Sequence, residues 1–253
     1  MREMEVPPAN GPTPRLSAWQ RVVFTFTAPT RTFADIERGN RSWWLPFLLL
    51  AAASYILCAA ITFRIGWGQV AGNILRLDPQ AQAQMQQLPP EQLQRIRRIA
   101  LYSTEGSMLA SPLLTLAGIA VLSLGLWGTI NFVFGGRATY GGVFAVWMYA
   151  GLPGIVKMLL GTIAILAGAA PESFNLKNFA PTNVGAFLDP LATHRALYVL
   201  ATSVDAVTLW TMVLLGMGTA AVAGLKRGSG WMAVFGWWVL WVLVRVGIAA
   251  AFS

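Results

Sequence analysis

The sequence predicts an all-α fold: a polytopic membrane helical bundle with five transmembrane helices, preceded by an interfacial amphipathic elbow. Three observations predict it. Five apolar stretches each reach the roughly 20 residues that a bilayer core requires. Charged residues make up 11% of the chain and hydrophobic ones 56%, whereas soluble domains are about 25% charged. Eleven Trp and 25 Gly suit interfacial aromatic anchors and closely packed spanning helices.

Taken in order, residues 1–16 carry Pro7, Pro8, Pro12 and Pro14 and no apolar run, so they read as a disordered tail without a secretory signal peptide. Ser17-Ala-Trp-Gln20 has the form of a capping box and starts a helix. Trp19, Val22, Val23 and Phe26 follow at helical spacing. Pro29 interrupts that pattern and opens a second short helix, with Phe33 and Ile36 on its apolar edge and Arg31 paired to Asp35 at i,i+4. Residues 17–42 are therefore expected to lie as an elbow in the headgroup layer.

The membrane domain, 43–252, has spans at about 44–63, 108–134, 143–170, 206–225 and 231–252. Helices are required because each backbone N–H and C=O in lipid must be paired within its own segment. A polar helical insertion, 68–107, separates the first two spans. Asp78-Pro79 begins one helix there, and Pro89-Pro90 breaks it and begins another. On the latter, Arg95, Arg97 and Arg98 form a basic cluster facing headgroups. Tight turns occupy 135–142 and 226–230, and an Asn-, Pro- and Gly-rich loop occupies 171–195.

The formal charge is +8. The cations flank apolar runs, so their expected partner is the lipid bilayer with its anionic headgroups, and no nucleic acid. With the N-terminus inside, the inner segments hold nine Lys/Arg and the outer loops seven, which favours a cytoplasmic N-terminus and an external C-terminus.

An ionisable group within a span is a candidate site. Lys157 and Arg245 each lie 14 residues into their spans, ~21 Å from one membrane face, and Asp205 lies ~30 Å from that face. The three form a candidate intramembrane polar cluster that binds a headgroup, an ion or a proton. The bland alternatives are an ion pair holding two helices in register, and an Arg245 that only reaches for the interface. Pro153, between Gly151 and Gly154, should kink the third span beside Lys157. Gly216, Ala220 and Gly224 recur every fourth residue, and Gly154, Gly161 and Gly168 every seventh. Both stripes suit close helix packing, first within one copy and second as a homo-oligomeric face.

Catalytic readings fail in turn. The single histidine, His194, has no second His or Cys nearby, so no metal site is expected. One intramembrane Asp makes no carboxylate dyad. No Ser or Cys has a base at recognisable spacing, and no nucleotide fingerprint occurs, so no cofactor is expected.

Phe24-Thr-Phe-Thr-Ala-Pro-Thr-Arg-Thr-Phe33 with Trp43-Trp44-Leu-Pro46 resembles the YIP family, named for interaction with Ypt/Rab GTPases. Phe134-Gly-Gly, Tyr149-Ala-Gly-Leu-Pro153 and Leu209-Trp-Thr-Met-Val-Leu-Leu-Gly216 extend the resemblance over 19–252, and it is greatest to the bacterial branch. The resemblance implies five spans and a cytoplasmic N-terminus; the eukaryotic relatives are non-enzymatic adaptors in vesicle traffic and membrane shaping. The chain lacks the Asp-Leu-Tyr-Gly-Pro motif of those relatives, so the GTPase partnership does not carry over. The expectation is a non-catalytic adaptor or bilayer-organising scaffold of a bacterial inner membrane. The alternative is a small transporter or channel-like protein built on Lys157, Asp205 and Arg245.

Overall fold

The structure is a computed structural model that describes residues 15–251. Most of the tail expected at 1–16, and Phe252 at the end of the fifth span, lie outside the described residues. α1 (Ala18–Thr27) and α2 (Pro29–Glu37) form the elbow, and α3 (Trp44–Arg64) is the first span. α4 (Trp67–Arg76), α5 (Pro79–Met85) and most of α6 (Pro90–Leu109) fill the polar insertion. α7 (Ser111–Gly128) continues through a π-helical turn as the second span, and α8 (Tyr140–Ala150) and α9 (Pro153–Leu166) are the halves of the third. α10 (Arg195–Ser203) leads into α11 (Ala206–Ala223), the fourth span, and α12 (Arg227–Ala251) is the fifth. The fold is all-α, with five helices among the described residues long and apolar enough to cross a membrane.

Local signals place the helix ends. Ser17 Oγ accepts the Gln20 N–H at 3.2 Å, and the Gln20 side chain accepts the Ser17 N–H at 2.9 Å, closing the capping box. Thr139 caps α8 and Asp205 caps α11 through their side chains. The third span breaks at Gly151 and Leu152, and Pro153 starts α9, where its missing N–H costs nothing. That span ends at Leu166 rather than near 170, because Gly168 turns the chain at φ 96°.

Two small-residue expectations need correction. Gly224 and Gly168 are not packing positions. Each has positive φ, 67° and 96°, with nothing for a side chain to touch within 4 Å. They end helices, a task for which glycine's lack of Cβ suits it. Gly216 and Ala220 do pack, against Trp231 and Gly230 of α12. A Cβ on Gly154 would meet Leu50 of α3 at 3.7 Å, and one on Gly161 would overlap Phe179 of the 171–195 loop rather than a helix.

α3 packs along α9, α7 along α8, and α11 lies between the third span and α12. Arg137 N–H donates to the Ala223 carbonyl at one end, called the near end, and Arg64 donates to the Leu166 carbonyl at the far end. The apolar core follows this division. One cluster near the elbow gathers Phe33, Ile36, Ile130, Val143 and Leu214, and a far-end cluster gathers Leu57, Ile61, Trp67, Val70 and Phe174.

The elbow is a packed part of this bundle. Phe33 and Ile36 are buried, and α2 lies against α8 and α11. Gly218 makes room: a Cβ there would meet Phe33 and Val146. Phe26 meets Trp210 edge to face at 5.6 Å. Gly218 and Trp210 lie ~8 and ~20 Å along α11 from its near end. The α1–α2 tip thus reaches the depth of the spans.

Candidate functional site

Charge is buried at both ends of the bundle. At the near end, Pro29 reverses the chain and sets α1 beside α2, so that Arg21 faces Asp35. Arg21 is 1% exposed and Asp35 0%. The Arg21 Nε lies 3.7 Å from Asp35 Oδ2, and its NH1 donates to the Asn40 and Ser42 carbonyls at 2.8 and 3.1 Å. Asp35 accepts from the Asn40 side chain at 2.8 Å and the Leu16 N–H at 3.2 Å. Tyr149 of α8 closes the network, its ring 5.0 Å from the Arg21 guanidinium and its hydroxyl donating to the Ser42 carbonyl at 3.1 Å. Asp35 also pairs with Arg38 at 3.8 Å. The Arg31 partner expected from i,i+4 spacing instead lies over the Phe24 ring, 5.3 Å away. Arg31 is exposed, whereas Arg21 is already desolvated, and the deeper cation gains more from the carboxylate.

At the far end, the structure brings two of the three predicted charges together. Lys157 Nζ lies 2.9 Å from Asp205 Oδ2, joining α9 to the start of α11. The same oxygen accepts the Thr182 hydroxyl at 2.6 Å, and Oδ1 accepts the Thr208 N–H at 2.8 Å. A backbone bridge pairs Asn183 with Asp205, and Ala206 N–H donates to the Thr182 carbonyl at 2.9 Å. One carboxylate therefore ties the third span, the fourth span and the 171–195 loop. Lys157 also sits 5.9 Å from the Phe179 ring centroid.

Arg245 lines the same cavity of about 1130 Å³ but forms no ion pair with Asp205. It is exposed on α12, and both Asp205 oxygens are already engaged. Arg95, Arg97 and Arg98 are all exposed on α6, and the latter two edge a second cavity of about 930 Å³ against α4 and α5. His194 is exposed at the start of α10. Cys58 is buried in the far-end core.

Sequence reasoning missed Arg21, Tyr149, Thr182 and Asn183. For Thr208 a signal existed: Asp205 followed three residues later by an N–H to cap, before an apolar run, is a helix start.

The Lys157–Asp205 pair predicts its own mutant. Lys157→Met leaves a 97%-buried carboxylate side chain with only neutral donors. Because Lys157 is itself a quarter exposed, a loss of about 1–3 kcal/mol is expected, below the full cost of a broken buried pair. Asp205→Asn should cost less, since an amide still accepts from Thr208. Thermal unfolding in detergent reads both, and equal stability to the parent would contradict the clamp.

Residues 23–250 match the family model described as the Yip1 domain. No curated protein and no solved structure matches the chain.

Proposed function

The chain belongs to the Yip1-domain family, and from that premise we propose that it is a non-catalytic membrane adaptor or bilayer-organising scaffold. The observation that carries this reading is the elbow. Trp19 and Val23 are 60% and 53% exposed and share one face of α1 with Phe26. The buried Arg21–Asp35 network fixes that apolar face rigidly to the bundle. An apolar wedge held at one end of a five-span body occupies one leaflet more than the other, and so favours a curved or thinned bilayer.

In this reading the base of the elbow, with Trp19 and Val23, stands in the cytoplasmic leaflet of a bacterial inner membrane, with the N-terminus cytoplasmic. The nine-to-seven distribution of cations supports that orientation, and the missing Asp-Leu-Tyr-Gly-Pro stretch supports a bacterial setting without Rab traffic. Arg38, Arg41 and the α6 arginines meet anionic headgroups. Transport is the weaker reading, since Asp205 holds three donors at once and serves as a joint rather than a carrier site.

The test is vesicle size after reconstitution at fixed protein density. Trp19→Ser with Val23→Ser should return vesicles to the size of protein-free controls, while thermal stability stays near the parent's, because both side chains face out. Identical size distributions for parent and double variant would count against the wedge.

A further inference from the structure

We propose that the far-end cavity is a binding site for the headgroup of an anionic glycerophospholipid, one that carries a hydroxyl donor beside its phosphate. The cavity, of about 1130 Å³, lies among α9, α10, α11, α12 and the 171–195 loop, and residues 74–83 of the polar insertion edge it. Four Lys/Arg and two Asp line it. Asp205 is neutralised by Lys157, so the lining carries a net positive charge, with Lys177 and Arg245 exposed on it. A phosphate is an anion that such cations hold in place.

A second, independent observation points to a ligand. Asn183 lines the cavity and is 6% exposed. Its Nδ2 donates to Asn178 Oδ1 at 2.6 Å, yet its Oδ1 is buried with no hydrogen-bond partner. A buried acceptor without a donor is costly, and a headgroup hydroxyl supplies the missing donor. The third feature is polarity along the cavity. The loop side is amide- and hydroxyl-rich, whereas Met212, Trp238 and Trp241 line it on the α11 and α12 side. That gradient matches an amphiphile whose chains run down the spans and whose headgroup sits in the loop, and it does not match a free, fully hydrated anion. None of this depends on the elbow or on an adaptor role.

The experiment is native mass spectrometry of the full chain released from nanodiscs of equal phosphatidylglycerol and phosphatidylcholine. Retained phosphatidylglycerol should exceed phosphatidylcholine about tenfold, the ratio that one charge-assisted contact supports. Lys177→Gln with Arg245→Gln should abolish the preference, and Arg245→Gln alone should reduce it if the double variant fails to fold. Asn183→Asp, which sets a negative charge against the phosphate, should also reduce it. Arg95→Gln with Arg97→Gln and Arg98→Gln, on the exposed α6 face, should leave it intact. An equal preference in parent and cavity variants overturns the assignment, as does a loss confined to the α6 variant. Displacement of the lipid by an equal concentration of soluble glycerol phosphate overturns the membrane as the source.

Discussion

Arg21→Met is expected to destabilise the chain by about 3 kcal/mol, the lower end of the cost of breaking a buried ion pair, because Arg38 stays 3.8 Å from Asp35. Asp35 would remain 0% exposed, keeping the Asn40 side chain, the Leu16 N–H and, at 3.8 Å, the exposed Arg38. The Asn40 and Ser42 carbonyls would lose their guanidinium as well. The effect should exceed that of any surface charge on the chain, where ion pairs contribute about 0–1 kcal/mol. Asp35→Leu should cost a similar amount, because Arg21 would then be buried opposite an apolar wall. The double variant should cost less than the sum of the two, since it removes both charges together. Unfolding temperatures in one detergent, arranged as a double-mutant cycle, read the coupling. Additive losses would mean that Arg21 and Asp35 are held by their other neighbours and not by each other.

The second large effect is expected at the α11–α12 contact. A methyl group on Gly230 would overlap the Gly216 carbonyl oxygen and come within 3.0 Å of the Ala220 nitrogen. Those atoms are backbone and cannot swing aside, so α12 must move bodily away from α11. Gly216→Ala meets the same obstacle from the other side, at the Trp231 backbone. Overpacking of this kind costs about 1–3 kcal/mol, and a clash with backbone belongs at the upper end. It should also break the hydrogen bond from Trp231 Nε1 to the Val213 carbonyl, now 3.1 Å. Gly236→Ala, on the same helix, supplies the control: its Cβ would meet nothing within 4 Å, and alanine is the better helix former. Gly230→Ala should therefore unfold well below the parent in a thermal scan, and Gly236→Ala at or slightly above it. Equal scans would show that α11 and α12 are not in contact at Gly216.

These two sites differ in how far the sequence discloses them. The spans are legible because lipid leaves no alternative to an uninterrupted apolar helix, and the breaks at Pro29, Pro90 and Pro153 are legible because proline has no N–H to donate. The Gly216 and Ala220 face is legible from its spacing alone. Gly224 and Gly168 share that spacing but serve a different end, since periodicity does not reveal where a helix stops. Arg21 and Asp35 are 14 residues apart, and their contact depends on the angle between two short helices, a tertiary quantity. Spacing instead offers the local pair Arg31–Asp35, which the buried guanidinium of Arg21 outcompetes. For Lys157, Asp205 and Arg245, counting residues gives depth but not rotation about each helix axis. Depth brings all three to one cavity, and rotation decides that Lys157 bonds to Asp205 while Arg245 does not. Asn183 was beyond reach, because its place depends on the backbone bridge that lays the loop along Asp205.

The most direct measurement asks whether the elbow is inserted in the bundle. With Cys58→Ser as background, Phe26→Cys and Trp210→Cys replace two rings whose centroids are 5.6 Å apart. Treated in intact membranes with a short bifunctional thiol reagent, the pair should cross-link within one chain in high yield, and a water-soluble maleimide should label neither site quickly. Rapid aqueous labelling at residue 26 with no cross-link to residue 210 would place α1 free on the membrane surface and contradict the fold described for it.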